Sequence, residues 1–284
     1  MERIGIIGLG RMGSAIAQRM TAEGLAVLGW TRSGRLIEGV EAASDLETLV
    51  KESDTLVLSL FDDAAVAGIL DALLALDMKG KQIIETSTVM PSLLVDRIDK
   101  IAASGATAVD APISGGPELV LAGSCGIFIG GDDASAARAR DSLAAISERI
   151  FHVGPLGTGL VMKVINNGML QTYFGGLAEL MPLARQAGLP LETAMRILCG
   201  GPAGMPMVTA RIPKILGKDK SIGFANSAVF KDNDVFQRVL DSYGLSSPAL
   251  ISFGLQKDAV EEAGLLERDP AELVSWAYYG GEGS

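Results

Sequence analysis

From residue 3 to about residue 155, short apolar runs alternate with stretches of helical periodicity, and few folds accommodate such a chain. The runs "RIGIIG" (3–8), "LAVLGW" (25–30), "DTLVLSL" (54–60), "KQIIET" (81–86), "ATAVDA" (106–111) and "GIFIGG" (126–131) have the length and composition of buried strands. Between most of them, at 11–23, 44–52, 91–104 and 132–146, apolar residues recur every three or four positions, as on one face of a helix. Strict alternation predicts right-handed βαβ units and a parallel sheet covered on both faces. Past residue 157 only helical periodicity remains. A long helix is expected over 159–187, closed by Gly188, and shorter ones over 190–199, 225–243, 248–263 and 270–279. The last should open on Asp269 as N-cap with Pro270 at the first helical position. The expected fold is therefore α/β: an N-terminal Rossmann-type parallel-sheet domain (1–157), a long connecting helix, and an all-helical C-terminal domain (158–284).

Bulk properties exclude several functions. The 284 residues are 48% hydrophobic and 20% charged, a globular rather than a disordered composition. The net charge of −10 argues against nucleic acid, whose phosphates require clustered Lys and Arg. Cys125 and Cys199 lie far apart with no metal-ligand spacing, so neither a disulfide framework nor a zinc site is expected. No apolar run approaches the roughly 20 residues of a membrane span, and a cytoplasmic protein is expected.

The segment "IIGLGRMG" places Gly8, Leu9, Gly10, Arg11, Met12 and Gly13 in a G-x-G-x-x-G pattern between a strand and a helix, the context of a dinucleotide site. Gly8 permits the tight turn, Gly10 lets the backbone approach a pyrophosphate, and Gly13 lets helix and strand pack closely. The phosphates would rest on the helix N-terminus, where free amides and the helix dipole favour an anion. A carboxylate at the end of the second strand would bind the ribose hydroxyls of NAD. Instead this strand ends in Thr31, Arg32 and Ser33, and a guanidinium between hydroxyls suits a 2′-phosphate, so the expected cofactor is NADP(H).

Further polar residues follow later strands, where ligands bind in open α/β sheets. Thr86, Ser87 and Thr88 follow the fourth apolar run, and Ser114, Gly115 and Gly116 follow the fifth. The Ser-Gly-Gly segment offers a hydroxyl and unobstructed backbone amides, a plausible cradle for a small carboxylate. In "GTGLVMKVINN" (157–167), Lys163 stands one turn into the long helix among Val161, Met162, Val164 and Ile165, with Asn167 one turn further on the same face. A lysine in a cleft between two domains would be partly desolvated, which lowers an amine's pKa towards the range useful for proton exchange. Asn167 could hold a substrate hydroxyl without competing for its proton.

The order of these motifs resembles the β-hydroxyacid dehydrogenases, the family of 3-hydroxyisobutyrate dehydrogenase, tartronate semialdehyde reductase and the glyoxylate/succinic semialdehyde reductases. The resemblance spans nearly the whole chain. It rests on "GLGRMG" (8–13), "DAPISGG" (110–116), "GTGLVMKVINN" (157–167), and "KD" (231–232) followed by "GLSSP" (244–248). It implies Lys163 as catalytic acid/base and Asn167 or Asn166 as the residue that positions substrate. It also implies Ser114, Gly115 and Gly116 as substrate contacts, with Thr88 near the nicotinamide and Lys231 near the cofactor. The "TRS" at 31–33 is similar to the NADP-preferring members. Departures cluster around the expected pocket: Pro117 after the glycine pair, Val120 and Cys125, polar Asn233 and Asp234 after "KD", and the unmatched "CGGPAGMP" (199–206).

The expected activity is NADP(H)-dependent interconversion of a small β-hydroxyacid and its semialdehyde or keto acid. No metal is expected, since an ammonium can polarise the carbonyl oxygen. Two alternatives stay open: an imine reductase-like enzyme, in which another residue usually replaces the lysine, and a non-enzymatic cofactor-binding module, for which loss of the lysine would be the sign. His152 reads as structural, the methionines as core or interface filling, and "KDAVEEAG" (257–264) as a solvated helix face. Leu170, Phe174, Leu177 and Leu180 read as apolar helix surface to be buried in a homo-dimer or homo-tetramer.

Overall fold

The computed structural model describes residues 2–281. The chain divides into two compact units, Met1–Asn166 and Asn167–Ser284. The division falls inside one continuous helix, Thr158–Gln186, so residue 157 marks the start of that helix rather than the division itself.

Nine strands form one sheet among the described residues of the first unit. They are β1 (Arg3–Ile7), β2 (Ala26–Trp30), β3 (Glu41–Ala42), β4 (Thr55–Leu58), β5 (Gln82–Glu85), β6 (Thr107–Asp110), β7 (Ile113–Ser114), β8 (Gly126–Gly130) and β9 (Arg149–Gly154). The order is β3-β2-β1-β4-β5-β6-β8-β7, with β9 also paired to β8. From β3 to β6 all pairs are parallel, with Ile4 opposite Val27 on one side of β1 and Thr55 on the other. The six apolar runs all became strands, but the all-parallel expectation fails beyond β6. There β8 runs antiparallel to β6 and β7, because the chain between β6 and β8 holds only the short β7 and one brief helix, too little for a crossover.

The helices of this unit are α1 (Arg11–Ala22), α2 (Leu46–Glu52), α3 (Asp63–Leu73), α4 (Ser92–Val95), α5 (Ile98–Ala103), α6 (Pro117–Leu121) and α7 (Asp133–Leu143), followed by α8 (Thr158–Gln186). Alternate strand residues point to opposite faces. Ile4, Ile6, Val57 and Ile84 pack with Ile16 and Met20 of α1 and Ala139 of α7. On the other face Ile7, Leu56, Leu58 and Ile83 pack with Leu49, Val66, Leu70 and Leu160. The expected helix over 91–104 is split into α4 and α5.

The second unit continues from α8 through α9 (Leu191–Gly200), α10 (Pro206–Ala210), α11 (Ile212–Ile215), α12 (Asn226–Ser242), α13 (Pro248–Gly254), α14 (Lys257–Glu262) and α15 (Ala271–Tyr278). One segment expected as a single helix, 248–263, is two. The cap residue of α15 is Pro270, one position later than expected. The Asp269 carboxylate still accepts from the Ala271 amide at 3.1 Å. Phe174, Leu177 and Met181 of α8 meet Met195 and Val274 in the core, and Phe230 stacks on Phe253 at 5.3 Å between ring centroids. Phe174 and Leu177 are thus core residues rather than the exposed surface expected of them, whereas Met169, Leu180 and Leu183 are exposed. Asn233, polar in an apolar setting, is buried in a chain of amides: it donates to the Gln171 side-chain oxygen at 2.8 Å and accepts from Gln237. Its polarity is satisfied internally.

No helix among the described residues is long and apolar enough to cross a membrane.

Candidate active site

At the C-terminal end of β1 the chain turns through Gly8, whose φ of +96° is left-handed backbone that other residues avoid. A Cβ on Gly13 would overlap the Gly8 carbonyl oxygen, so only glycine lets α1 start this close to the strand. Gly10 is the N-cap of α1; nothing stands within 4 Å of where its Cβ would be, and no side chain caps the helix. A helix entered this way keeps its first amides for an external acceptor, which is what a pyrophosphate needs. The residues present therefore fit a dinucleotide. The Gly8 amide donates to the Trp30 carbonyl at 2.9 Å, which sets the end of β2 beside this turn. Thr31 to Gly34 then form a tight turn, closed by the Gly34 amide on the Thr31 carbonyl, with Arg32 and Ser33 exposed.

At the ends of β4 and β5 the expected "TST" cluster separates. Thr86 donates its hydroxyl to the Leu58 carbonyl at 2.6 Å, and the Ser87 hydroxyl accepts from the Leu60 amide at 2.8 Å. Both hydroxyls lace strand ends together. Thr88 is the half-buried third member.

The start of α8 is built around Asp110, fully buried at the end of β6. Its Oδ1 accepts from the Gly157 amide at 2.6 Å and its Oδ2 from the Leu160 amide at 2.7 Å. A Cβ on Gly130 would overlap Oδ1, and one on Gly159 would press on Oδ2 and on the Phe128 carbonyl, so these glycines make room for the carboxylate. Burial raises the Asp110 pKa from its ordinary 3.8 to about 6, partly offset by the amides of Gly157 and Leu160. Within the sequence, Asp110 is visible only as the first letter of "DAPISGG", and its role depends on residues 20 to 50 positions away.

One turn beyond this anchor stands Lys163. It is 5% exposed, and its Nζ donates to the Ile113 carbonyl at 2.5 Å. The next residue after Ile113 is Ser114, whose hydroxyl accepts from the Asn166 amide at 2.8 Å. The structure thus brings Lys163, Ser114 and Asn166 together in the first unit. Gly115, at φ +135°, turns the chain there, and Gly116 caps α6 with Pro117 at its first position. An unexpected neighbour is Glu118, whose carboxylate folds back to where a Gly116 Cβ would stand. Nothing in the sequence reading assigned it a place.

The other expected residues belong to the second unit. Asn167, on the same helix as Lys163, lines an open pocket of about 460 Å³ with Leu170, Phe174, Met207, Arg211 and Asp232. Lys231 forms an ion pair with Asp232 at 2.9 Å. His152 lies 2.8 Å from the Gly131 carbonyl and 3.6 Å from the Asp133 carboxylate, a strand-end structural contact.

Comparison with known proteins agrees with this architecture. Residues 3–154 match the family model of the NAD binding domain of 6-phosphogluconate dehydrogenase. Residues 157–277 match that described as NAD-binding of NADP-dependent 3-hydroxyisobutyrate dehydrogenase. The chain is 31% identical over 265 residues to the NAD-dependent L-serine dehydrogenase of Pseudomonas aeruginosa, covering 87% of this chain and 88% of the relative. It is 29% identical over 239 residues to 2-(hydroxymethyl)glutarate dehydrogenase of Eubacterium barkeri, covering 81% and 79%. Among solved structures, the Mycobacterium tuberculosis 3-hydroxyisobutyrate dehydrogenase with L-serine superposes with a TM-score of 0.86 over 96% of this chain and 98% of that one, at 23% identity. A variant imine reductase of Myxococcus stipitatus in complex with NAD+ shares the fold at a TM-score of 0.62 and 21% identity, covering 96% and 98%. With matches over both its sheet and its helices, and with the motif order of the family intact, the chain belongs to the β-hydroxyacid dehydrogenase family of NAD(P)-binding oxidoreductases.

Proposed function

We propose that the protein interconverts a small β-hydroxyacid and its semialdehyde or keto acid with NADP(H), using Lys163 as general acid/base. The observation that carries this is the burial of Lys163 beside Ser114 and Asn166, with its ammonium on the Ile113 carbonyl. The cofactor, held by the Gly8 to Gly13 turn, would supply hydride chemistry: acceptance from the carbinol carbon or donation to the carbonyl carbon. Lys163 takes the hydroxyl proton in oxidation and gives it back in reduction, and its ammonium polarises the carbonyl oxygen. Asn166 and Asn167 hold the substrate hydroxyl, while Ser114 and the amides of Gly115 and Gly116 hold the carboxylate. Gly8 to Gly13, Thr88 and Lys231 serve the cofactor. The exposed guanidinium of Arg32, between Thr31 and Ser33, supports NADP(H) over NAD(H), although the L-serine dehydrogenase relative is named as NAD-dependent. The names of the relatives direct attention to 3-hydroxyacids, including L-serine and 2-(hydroxymethyl)glutarate.

The alternative is imine reduction on the same fold, which the likeness to imine reductases keeps in view. Lys163 favours the hydroxyacid chemistry. A panel of small 3-hydroxyacids, aldehydyl acids and cyclic imines, followed by NADPH and NADH absorbance, separates the two. Turnover of imines alone would reject the hydroxyacid assignment. The exposed Ile165, Met169, Leu180, Leu183 and Ile197 support a homo-dimer or homo-tetramer, which sedimentation velocity checks.

A further inference from the structure

The sheet reverses its winding at β1: β2 and β3 follow on one side, β4, β5 and β6 on the other. In a parallel α/β sheet the loops leaving the two strands at such a reversal part, and the crevice between their carboxyl ends takes the ligand. One wall of that crevice is the Gly8–Gly13 turn. The other is the loop after β4, residues 59–62, and it is held close to the first. The Ser59 amide donates to the Ile7 carbonyl at 2.9 Å. A Cβ on Gly8 would overlap the Ser59 carbonyl oxygen, and one on Gly13 would stand 3.2 Å from the Ser59 Cβ. The Leu60 amide donates to the Ser87 hydroxyl at 2.8 Å, and Asp62 caps α3 by accepting from the Ala65 amide at 2.8 Å. Both chain neighbours of Phe61 are therefore pinned.

Phe61 is nevertheless 65% exposed, the most of any phenylalanine among the described residues. A lone exposed apolar side chain elsewhere on a surface needs no explanation. On a rigid loop across from a dinucleotide turn it has one, because aromatic rings line ligand sites and stack on flat heterocycles. The order of the strands says which end of the cofactor meets it. The Thr31–Gly34 turn follows β2, on one side of the glycine turn, where Arg32 serves the adenosine end in the reading above. Phe61 follows β4, on the other side, towards β5 and Thr88. We infer that Phe61 is the stacking platform for the nicotinamide ring. The assignment goes beyond the cofactor contacts proposed above and needs only that the chain bind NAD(P)(H).

Binding tests this without turnover. NADPH and 2′-phospho-ADP-ribose, which lacks only the nicotinamide ring, are titrated calorimetrically into the full chain as wild type, Phe61→Ala, Phe61→Leu and Phe61→Tyr. NADH and ADP-ribose are run alongside, so that the result does not hang on the preference for NADP(H). Phe61→Ala should weaken the complete cofactors by about five- to a hundredfold, the usual worth of one stacked base, and the ringless probes by less than about twofold. Phe61→Tyr keeps the aromatic face and should stay within about threefold of wild type. Phe61→Leu keeps apolar bulk without that face and should lie nearer to Phe61→Ala; it carries the comparison should the Ala variant not fold. Equal losses for complete and ringless probes, an unchanged affinity in Phe61→Ala, a Leu variant as tight as wild type, or a Tyr variant as weak as Ala would overturn the assignment. So would a wild type that binds the complete cofactors no tighter than the ringless probes. A ring-dependent loss in a protein inactive on every hydroxyacid would instead uphold the stack and reject only the proposed reaction.

Discussion

The Oδ2 of Asp110 accepts a hydrogen bond from the Leu160 amide at 2.7 Å, tying the end of a sheet strand to the first turn of the helix that carries Lys163. Because Asp110 also takes the Gly157 amide, one buried carboxylate sets where that helix begins. Its pKa is raised to about 6, so the folded protein binds a proton there more tightly than the unfolded chain does. The sign follows: the stability attached to this proton is complete below pH 4 and is lost as the pH rises through 6, a change of roughly 3 kcal/mol at about 1.4 kcal/mol per pKa unit. Asp110→Asn cannot titrate, and its amide NH2 must face one of the two backbone donors. The wild type's advantage over this variant in urea unfolding should therefore be largest near pH 4 and shrink towards pH 7. A constant difference across that range would mean that Asp110 is ionised throughout.

Gly10 and Gly13 should respond differently to alanine. A methyl on Gly13 overlaps the Gly8 carbonyl, so Gly13→Ala should cost about 1–3 kcal/mol and lower the melting temperature by several degrees. Gly10 has open space and an ordinary φ of −69°, so Gly10→Ala should melt within about a degree of wild type. Its added methyl should nonetheless weaken cofactor binding, measured by NADPH fluorescence, because it stands where the pyrophosphate approaches. Unchanged NADPH affinity in Gly10→Ala would place the phosphates elsewhere.

Lys163→Ala should reduce turnover by about a hundredfold to ten-thousandfold, the usual worth of a general acid/base, with NADP(H) affinity nearly intact. Pre-steady-state kinetics locate the loss in the chemical step. A variant that kept more than about a tenth of the wild-type rate there would remove Lys163 from the proton transfer.

Arg32→Ala should weaken NADPH by about 1.5–3 kcal/mol and NADH far less, since only NADPH carries the 2′-phosphate. Titration of both cofactors decides it: parallel losses would show that Arg32 supports the Thr31–Gly34 turn instead.

Ser114 and Asn166 share one hydrogen bond at 2.8 Å, so their effects should not add. Ser114→Ala should raise the KM of an acid substrate roughly ten- to a hundredfold, and that of a neutral analogue much less. In the Ser114→Ala background, Asn166→Ala should cost less than it does alone. A double-mutant cycle that closes additively would separate the two residues.

Strand positions, the glycine turn at 8–13, the exposed 31–33 turn and the long helix from about 158 were all legible in the sequence. Each is set by contacts within a few residues: period-two or period-3.6 burial, a positive φ, a close approach that only glycine permits. Lys163 and Ser114 were legible as types in a motif, but that Asn166 reaches the Ser114 hydroxyl, and that Lys163 lies on the Ile113 carbonyl, depends on bringing together segments some 50 residues apart. Tertiary structure likewise decided the antiparallel turn of the sheet beyond β6, the loss of Thr86 and Ser87 to strand-end bonds, and the use of Asn233 in a buried amide chain. Asp110 is the sharpest case. In sequence it is an ordinary charged residue, and only burial beside backbone amides some 50 positions away gives it a distinct pKa.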